Sequence, residues 1–502
     1  MFHDEGVQVR DAIEFVFNGQ LRRLTDFDPN LTVLRYVREH ERALGSKEGC
    51  AEGDCGACTA VVAELADNGL HYRAVNTCIQ FLATLDGKAL MTVEHLESDA
   101  GLHPVQEAMA ESHASQCGFC TPGFVMSMFA GAQNHVPPTR VAIDEMLAGN
   151  LCRCTGYTPI IHAAEKALAP ASGAQIREAD EVLLRQQLQA VSSQEGVSIH
   201  SHGKHFIAPA TLAELAEILL RAPDATLLAG GTDVGLFVTK KHAALETVVY
   251  IGRVAELARI EDTPQGVRLA AAVTYAQASA GLQALYPDMG KLISRIGAVQ
   301  VRNLGTVVGN IANGSPIGDM PPALIAAGAR VVLRRGDATR ELPLEAYFIA
   351  YGKQDRVPGE FIEALLVPRP DPGGVLKVYK ISKRIDQDIS SVCGAFNLGF
   401  SEEAGERVVK SARICFGGMA GTPLRASQCE AFLVGRVWDE ATAEQAAELL
   451  SETYQPLNDA RASAAYRNRV AGNLLRKFFH ETQAADQAPL GVVHGSFQGA
   501  RR

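Results

Sequence analysis

Gly49-Cys50-Ala51-Glu52-Gly53-Asp54-Cys55-Gly56-Ala57-Cys58 places three cysteines and three glycines within ten residues. Thiolates at C-x4-C-x2-C concentrate negative charge, so the loop carrying them must wrap tightly and aim backbone N–H groups at sulfur. Gly49, Gly53 and Gly56 permit that approach. The crowding extends further: eight of the eleven cysteines lie between Cys50 and Cys154, and only Cys393, Cys415 and Cys429 follow. The chain has 502 residues, and its opening, Met1 to Arg10, lacks the apolar core of a secretory signal. Clustered cysteines are then expected as metal ligands rather than disulfides. The three later cysteines sit in apolar contexts and are expected as buried core thiols.

Cys78, with nineteen residues between it and Cys58, completes the spacing of a plant-type 2Fe-2S site. Zinc is the competing ligand, but zinc sites usually pair two C-x2-C knuckles, which this loop lacks. A second set, Cys117-Gly118-Phe119-Cys120 and Cys152-Arg153-Cys154, is separated by 31 residues. Cys117 and Cys120 can face the same way at the edge of a helical turn, whereas Cys152 and Cys154 converge only through a tight non-helical bend. Thr121-Pro122 and Thr158-Pro159 predict capping hydroxyls followed by proline at the first helical position. Both cysteine pairs thus precede helix N-termini, where free N–H groups and the dipole favour an anionic cluster. Spacing alone leaves zinc or a structural role open for this second set.

Outward from the cysteines the chain divides by texture. Ala12 to Phe17, the Asn18-Gly19 turn and Gln20 to Leu24 predict a hairpin. Leu31, Leu34, Tyr36 and Val37 predict a short helix, and Thr59 to Leu65 a further strand, so residues 1–92 read as a β-rich domain crossed by one helix. Helical patterns at about 104–113, 122–134, 139–148 and 158–168 make residues 93–170 an all-α domain. Residues 171–200 have the polarity of a linker. Thr211 with Glu214 forms a capping box opening a helix to about Leu220, followed by the strand Thr226 to Ala229 and a glycine turn. Strands and helices alternate over 201–372. The segment 375–485 reads as strands, Leu376 to Ile381 and Val408 to Phe416, then helices at about 439–453 and 462–482. A tail occupies 486–502.

Composition narrows the function. At 47% apolar the chain is too long for one core and should split into roughly three or four domains. A net charge of -10 without a Lys/Arg block argues against a nucleic-acid partner. No run reaches the roughly 18 apolar residues of a membrane span, so a cytoplasmic protein is expected. His71, His95, His103, His113, His135, His162 and His205 are expected at the surface or at helix ends rather than as ligands.

The cysteine stretch, together with Gln116-Cys117-Gly118-Phe119-Cys120-Thr121-Pro122-Gly123 and Asn150-Leu151-Cys152-Arg153-Cys154-Thr155-Gly156-Tyr157, resembles the two-cluster module of the xanthine dehydrogenase and aldehyde oxidase family of molybdenum hydroxylases. The resemblance implies that Cys117, Cys120, Cys152 and Cys154 hold the cluster nearest molybdopterin and receive electrons first. Cys50, Cys55, Cys58 and Cys78 then hold the cluster that passes them to flavin, and Gln116 reaches the pterin in a partner subunit.

Leu227-Leu228-Ala229-Gly230-Gly231-Thr232-Asp233-Val234-Gly235 is an apolar strand ending in a glycine turn, which could bring N–H groups to a pyrophosphate. It lacks the G-x-G-x-x-G order, and a Gly-Gly pair after a strand is often only a turn. Small and polar residues dominate from Arg302 to Asp319, which suits backbone wrapping a ligand. Both stretches resemble the flavin domain of xanthine dehydrogenases and the vanillyl-alcohol oxidase fold. The resemblance implies that Leu227 to Val234 grip the diphosphate of FAD, that Thr306, Asn310 and Asp319 hold its ribityl and adenosine groups, and that Lys380 approaches the isoalloxazine. Without the resemblance, Lys380 to Asp388 would read equally well as a solvated charged hairpin. Gln387 stands where vertebrate members place an acidic residue beside the flavin, so flavin potential and oxygen reactivity do not carry over.

The expected fold class is multidomain α+β: a β-grasp ferredoxin-like domain, an all-α four-helix 2Fe-2S domain, an α+β FAD-binding domain of the vanillyl-alcohol oxidase type and a C-terminal α+β domain. The expected function is the electron-transfer subunit of a xanthine dehydrogenase converting hypoxanthine and xanthine to urate with NAD as acceptor. Substrate hydroxylation would reside in a large molybdopterin-binding subunit, two copies of each forming a heterotetramer. The alternatives are a related hydroxylase of another heterocycle or aldehyde, and a non-catalytic zinc-binding protein.

Overall fold

The computed structural model describes residues 9–66, 69–97 and 101–483. The expected tail and most of the opening segment lie outside the described residues. The chain forms two units. The first comprises Met1–Ala258 with Thr274–Ala276 and Gly297–Thr306; the second comprises Arg259–Val273, Gln277–Ile296 and Val307–Arg502.

The first unit is built on a five-stranded sheet in the order Gln20–Leu24, Ile13–Phe17, Ala89–Met91, Thr59–Ala66, Gly69–Asn76. Its inner strands, Ile13–Phe17, Ala89–Met91 and the first half of Thr59–Ala66, bury apolar residues on both faces, whereas the edge strand Gln20–Leu24 is largely exposed. Ile13, Phe15, Phe17, Ala60 and Val62 point to one core, shared with Val197, Phe206, Leu228 and Val248 of a second sheet. Val16, Val61 and Ala63 point to the other, shared with the helical domain. That domain consists of Pro104–Glu111, Thr121–Gln133, Arg140–Leu147 and Thr158–Ala167. Thr121–Gln133 is its centre and is buried all round from Gly123 onward.

Two local expectations are corrected here. Thr121 and Thr158 are not caps: each is already helical, with proline one position later, and the flanking cap residues are Cys120 and Tyr157. The 171–200 stretch, read as a linker, contains the helix Glu178–Val191, whose Leu184, Leu188 and Val191 fall on one face and enter the helical-domain core.

The second sheet has the order Val9–Arg10, Gly196–Ser201, Lys204–Ala208, Thr247–Tyr250, Thr226–Leu228. Leu212–Arg221 opens as expected: Thr211 Oγ1 accepts from Glu214 N at 3.2 Å, while Glu214 reaches back to Ala210 N at 2.8 Å. His205, expected at the surface, is instead buried in the strand Lys204–Ala208, its Nε2 2.8 Å from Ser198 Oγ.

The second unit holds an antiparallel five-stranded sheet in the order Ile260–Thr263, Gly266–Ala270, Phe361–Pro368, Arg330–Arg335, Ala338–Pro343. It also holds a four-stranded sheet, Gly374–Ile381, Val392–Glu403, Glu406–Gly417, Leu424–Arg425. Glu440–Thr453 and Ala464–Gln483 cover the latter, with Phe396, Phe416, Trp438 and Phe478 at the centre of the core. Cys393, Cys415 and Cys429 are buried, as expected. The expected α+β multidomain class is the one observed. Among the described residues no helix is long and apolar enough to cross a membrane.

Candidate functional site

The first cysteine loop is folded around sulfur. Cys50 Sγ accepts backbone N–H groups from Glu52, Asp54 and Cys55 at 3.4, 3.3 and 3.3 Å. Such donors stabilise a thiolate. The glycines are needed where the sequence places them. A Cβ on Gly49 would lie 2.8 Å from Cys55 Sγ, and one on Gly53, at φ +78°, 2.5 Å from Ile79 Cδ1. Asn76 braces the loop through Nδ2 on Gly53 O at 2.7 Å, and Thr77 does so through Oγ1 on Cys58 O at 2.6 Å. Cys58 and Cys78 are 2% exposed, whereas Cys50 and Cys55 lie nearer solvent.

The thiols of this set share hydrogen bonds. A bond from Cys55, then one from Cys78, holds Cys50 far down, and Cys78 lowers Cys58; Cys55 and Cys78 as donors are pushed up. Sulfur thus meets sulfur in a continuous run, Cys55 with Cys50, Cys50 with Cys78 and Cys78 with Cys58.

The second set meets as two pairs. Cys117 and Cys154 approach at 3.6 Å between sulfurs, both exposed, and Cys120 hydrogen-bonds Cys152. Burial pushes the Cys120 thiol up to about 12. Burial also opposes ionisation of Cys152, but hydrogen bonds from the Thr155 hydroxyl and backbone prevail and lower it. Thr155 N lies 3.5 Å from Cys152 Sγ. Gly118, Gly156 and Tyr157 take positive φ of 79°, 70° and 69°, which makes the tight bends that bring the pairs together. Four sulfurs gathered beside backbone donors in each set fit a diiron cluster, in which each iron takes two of four thiolates.

The two sets are joined. Leu151 N donates to Cys55 O at 3.0 Å, and Asn150 Nδ2 lies 3.3 Å from Gly56 O. Behind them stands Gln300, fully buried, which the sequence did not single out.

The flavin-segment residues are distributed over both units. In the first, Leu227 and Leu228 end an edge strand and Ala229 to Asp233 form the glycine turn, with Asp233 the residue before the helix Val234–Thr239. Gly230 is required by the chain itself, since a Cβ there would lie 1.8 Å from Leu304 O. Gly235 similarly backs onto Ile79 O, next to Cys78. Burial raises the Asp233 carboxyl, against the pull of Lys241. Thr306 bridges to Thr274. In the second unit, Lys380 is buried, Nζ bonding Asp319 Oδ2 at 2.6 Å and Arg295 O at 2.9 Å. Ser390 Oγ holds the other Asp319 oxygen at 2.5 Å. Lys380 is therefore not part of a solvated hairpin, although Lys383, Arg384, Ile385 and Asp386 after it are exposed. Asn310 Oδ1 is buried without a donor, as an atom awaiting a ligand hydroxyl would be. These features fit FAD.

Comparisons with known proteins agree with this geometry. Residues 92–165 match the model of a 2Fe-2S binding domain, residues 200–370 that of the FAD binding domain in molybdopterin dehydrogenase, and residues 377–482 that of the CO dehydrogenase flavoprotein C-terminal domain. The xanthine dehydrogenase of Emericella nidulans is 30% identical over 95% of this chain, and that of Drosophila subobscura 31% over 94%. Mouse aldehyde oxidase 3 is 27% identical over 93%. The chain spans 39% of the length of each of these three relatives. A solved chain of carbon monoxide dehydrogenase from Hydrogenophaga pseudoflava, 27% identical, superposes with a TM-score of 0.51 over 54% of this chain and 94% of its own. One of the enzyme from Oligotropha carboxidovorans, 28% identical, gives 0.50 over the same shares. Iron-sulfur and flavin domains in one chain define a redox protein that transfers electrons. The chain belongs to the molybdenum hydroxylase family and carries that family's iron-sulfur and flavin domains.

Proposed function

We propose that this chain accepts electrons from a molybdopterin centre and delivers them through two 2Fe-2S clusters to FAD, and thence to NAD. The observation that carries the reading is the gathering of eight cysteine sulfurs into two sets of four in adjoining loops. Cys117, Cys120, Cys152 and Cys154 hold the cluster nearer molybdopterin, and Cys50, Cys55, Cys58 and Cys78 the one nearer flavin. Leu227 to Val234 bind the FAD diphosphate, Thr306, Asn310 and Asp319 its ribityl and adenosine groups, and Lys380 the isoalloxazine. Bound FAD supplies the conversion between single electrons and a hydride pair. The domains run 1–92, 93–170, 201–372 and 375–485.

The substrates are hypoxanthine and xanthine, oxidised to urate at molybdopterin in a separate large subunit, two copies of each subunit assembling in the cytoplasm. Xanthine dehydrogenases aligned over nearly all of this chain favour that choice. The alignment with aldehyde oxidase 3 favours a second reading, in which the complex oxidises an aldehyde or another heterocycle. The purified chain should contain roughly four iron per FAD; a colourless, zinc-containing preparation would refute the assignment. Assay of the co-purified complex with hypoxanthine, nicotinate and an aldehyde, against NAD and oxygen, selects substrate and acceptor.

A further inference from the structure

We propose that Gln300 is a positioning residue that holds the two cysteine loops in the register coupling one cluster to the other. The proposal rests on the two-cluster reading above. Leu151 N–H donates to Cys55 C=O at 3.0 Å, so Cys55, a ligand of one set, and Cys152, the neighbour of Leu151 and a ligand of the other, are separated by one hydrogen bond and a short run of covalent bonds. A single electron crossing between the clusters oxidises one, reduces the other and moves no proton. The through-bond contact between the loops therefore bears directly on their coupling.

What holds that contact is a buried amide network. Asn150 Nδ2 lies 3.3 Å from both Gly56 O and Thr59 Oγ1, and Ser127 Oγ donates to Asn150 Oδ1 at 2.7 Å. Gln300 Nε2 stands at its centre, 3.2 Å from Thr59 Oγ1, 3.3 Å from Ser127 Oγ and 3.2 Å from Asn150 Oδ1. The hydroxyl protons of Thr59 and Ser127 are committed elsewhere, to Gly56 O at 2.7 Å and to Asn150. Their lone pairs thus face Gln300, which fixes its amide with nitrogen toward the loops.

The fit is close. A Cβ at Gly149 would lie 1.9 Å from Gln300 Oε1, so glycine before Asn150 is what admits the side chain. Gln300 Oε1 is buried without a partner, a cost that an apolar residue would avoid. What Gln300 contributes is the geometry its three Nε2 contacts impose on the loops. Gln300 lies in the short helix Val299–Arg302, and Asn303 just after it donates to Ala74 O at 2.9 Å, so the helix is itself pinned to the strand Gly69–Asn76.

The test is electron spin resonance of the dithionite-reduced full chain, in which two neighbouring reduced clusters split or relax each other's signals. The wild type should show two diiron signals with mutual splitting. Gln300→Leu should keep both signals and the full iron content but lose the splitting, and Gln300→Glu, which cannot donate, should behave alike. Splitting unchanged in both variants with iron intact, or no splitting in the wild type, overturns the proposal. If Gln300→Leu sheds iron, Ser127→Ala, which removes a single member of the network, decides it by the same readout. A wild type with fewer than two diiron signals would instead sink the two-cluster reading, and this inference with it.

Discussion

Lys380 Nζ sits 2.6 Å from Asp319 Oδ2, with the side chains 3% and 10% exposed, so two residues assigned to different parts of one flavin hold each other. Removing one partner of such a pair leaves a buried charge uncompensated, at a cost of about 3–5 kcal/mol. Lys380→Met should therefore unfold at lower urea than wild type and release FAD. The double variant Lys380→Met/Asp319→Asn should regain most of the stability but not the FAD. Equal stability of the two variants would show that the pair is not coupled; urea titration followed by flavin fluorescence reads both quantities.

The two cysteine sets differ in how solvent reaches them. Cys117 and Cys154 are exposed, whereas Cys58 and Cys78 are 2% exposed and lie under Ile79 and Leu34. Mild oxidation with a chelator should strip iron from the helical set first, leaving a half-loaded chain with the ferredoxin-like signal intact. Simultaneous loss of both signals, followed by spin resonance against iron content, would contradict that order.

What the sequence disclosed was local. Asn18-Gly19, the cysteine spacings and Thr211 with Glu214 act within a few residues, and the hairpin and capped helix formed where they pointed. Thr121 and Thr158 misled by one position, since a proline fits the first turn whether the threonine before it caps or is already helical. The burial of Lys380 was hidden because its partner is 61 residues away and because Lys383, Arg384 and Asp386, which follow it closely, are charged and exposed. Gln300 was more deeply hidden: its three acceptors lie 150 to 241 residues earlier, and no spacing rule marks a lone glutamine in a short helix.

Acid sensitivity should centre on His205. Burial, then the ring of His200 stacked at 3.5 Å, pushes its imidazole down to about 4. In the unfolded chain the same group titrates near ~6.5. The folded state therefore favours the neutral ring. The associated stability is fully present above the unfolded value and is lost as pH falls from about 6.5 toward 4, amounting to roughly 1–3 kcal/mol. His205→Gln can still hydrogen-bond Ser198 but does not titrate. Its urea midpoint should lose less than that of wild type between pH 7.5 and 5, and parallel profiles would show that another group sets the acid limb.

Gly56 and Gly118 provide a matched pair. Both take left-handed φ, +72° and +79°, but a Cβ on Gly118 meets nothing within 4 Å, whereas one on Gly56 would lie 2.1 Å from Gly149 O and 3.0 Å from Asn150 Cα. Alanine at Gly118 should cost only the backbone term, about 1–2 kcal/mol, and keep both clusters. Alanine at Gly56 carries the same term and must also push the Gly149-Asn150 backbone away, which breaks the approach of one cysteine loop to the other. Gly56→Ala should thus be clearly less stable than Gly118→Ala and perturb the spin-resonance signals of both clusters, although it substitutes beside only one of them. If the two variants proved alike in stability and spectra, glycine at 56 would serve the turn of its own loop and not the contact between loops.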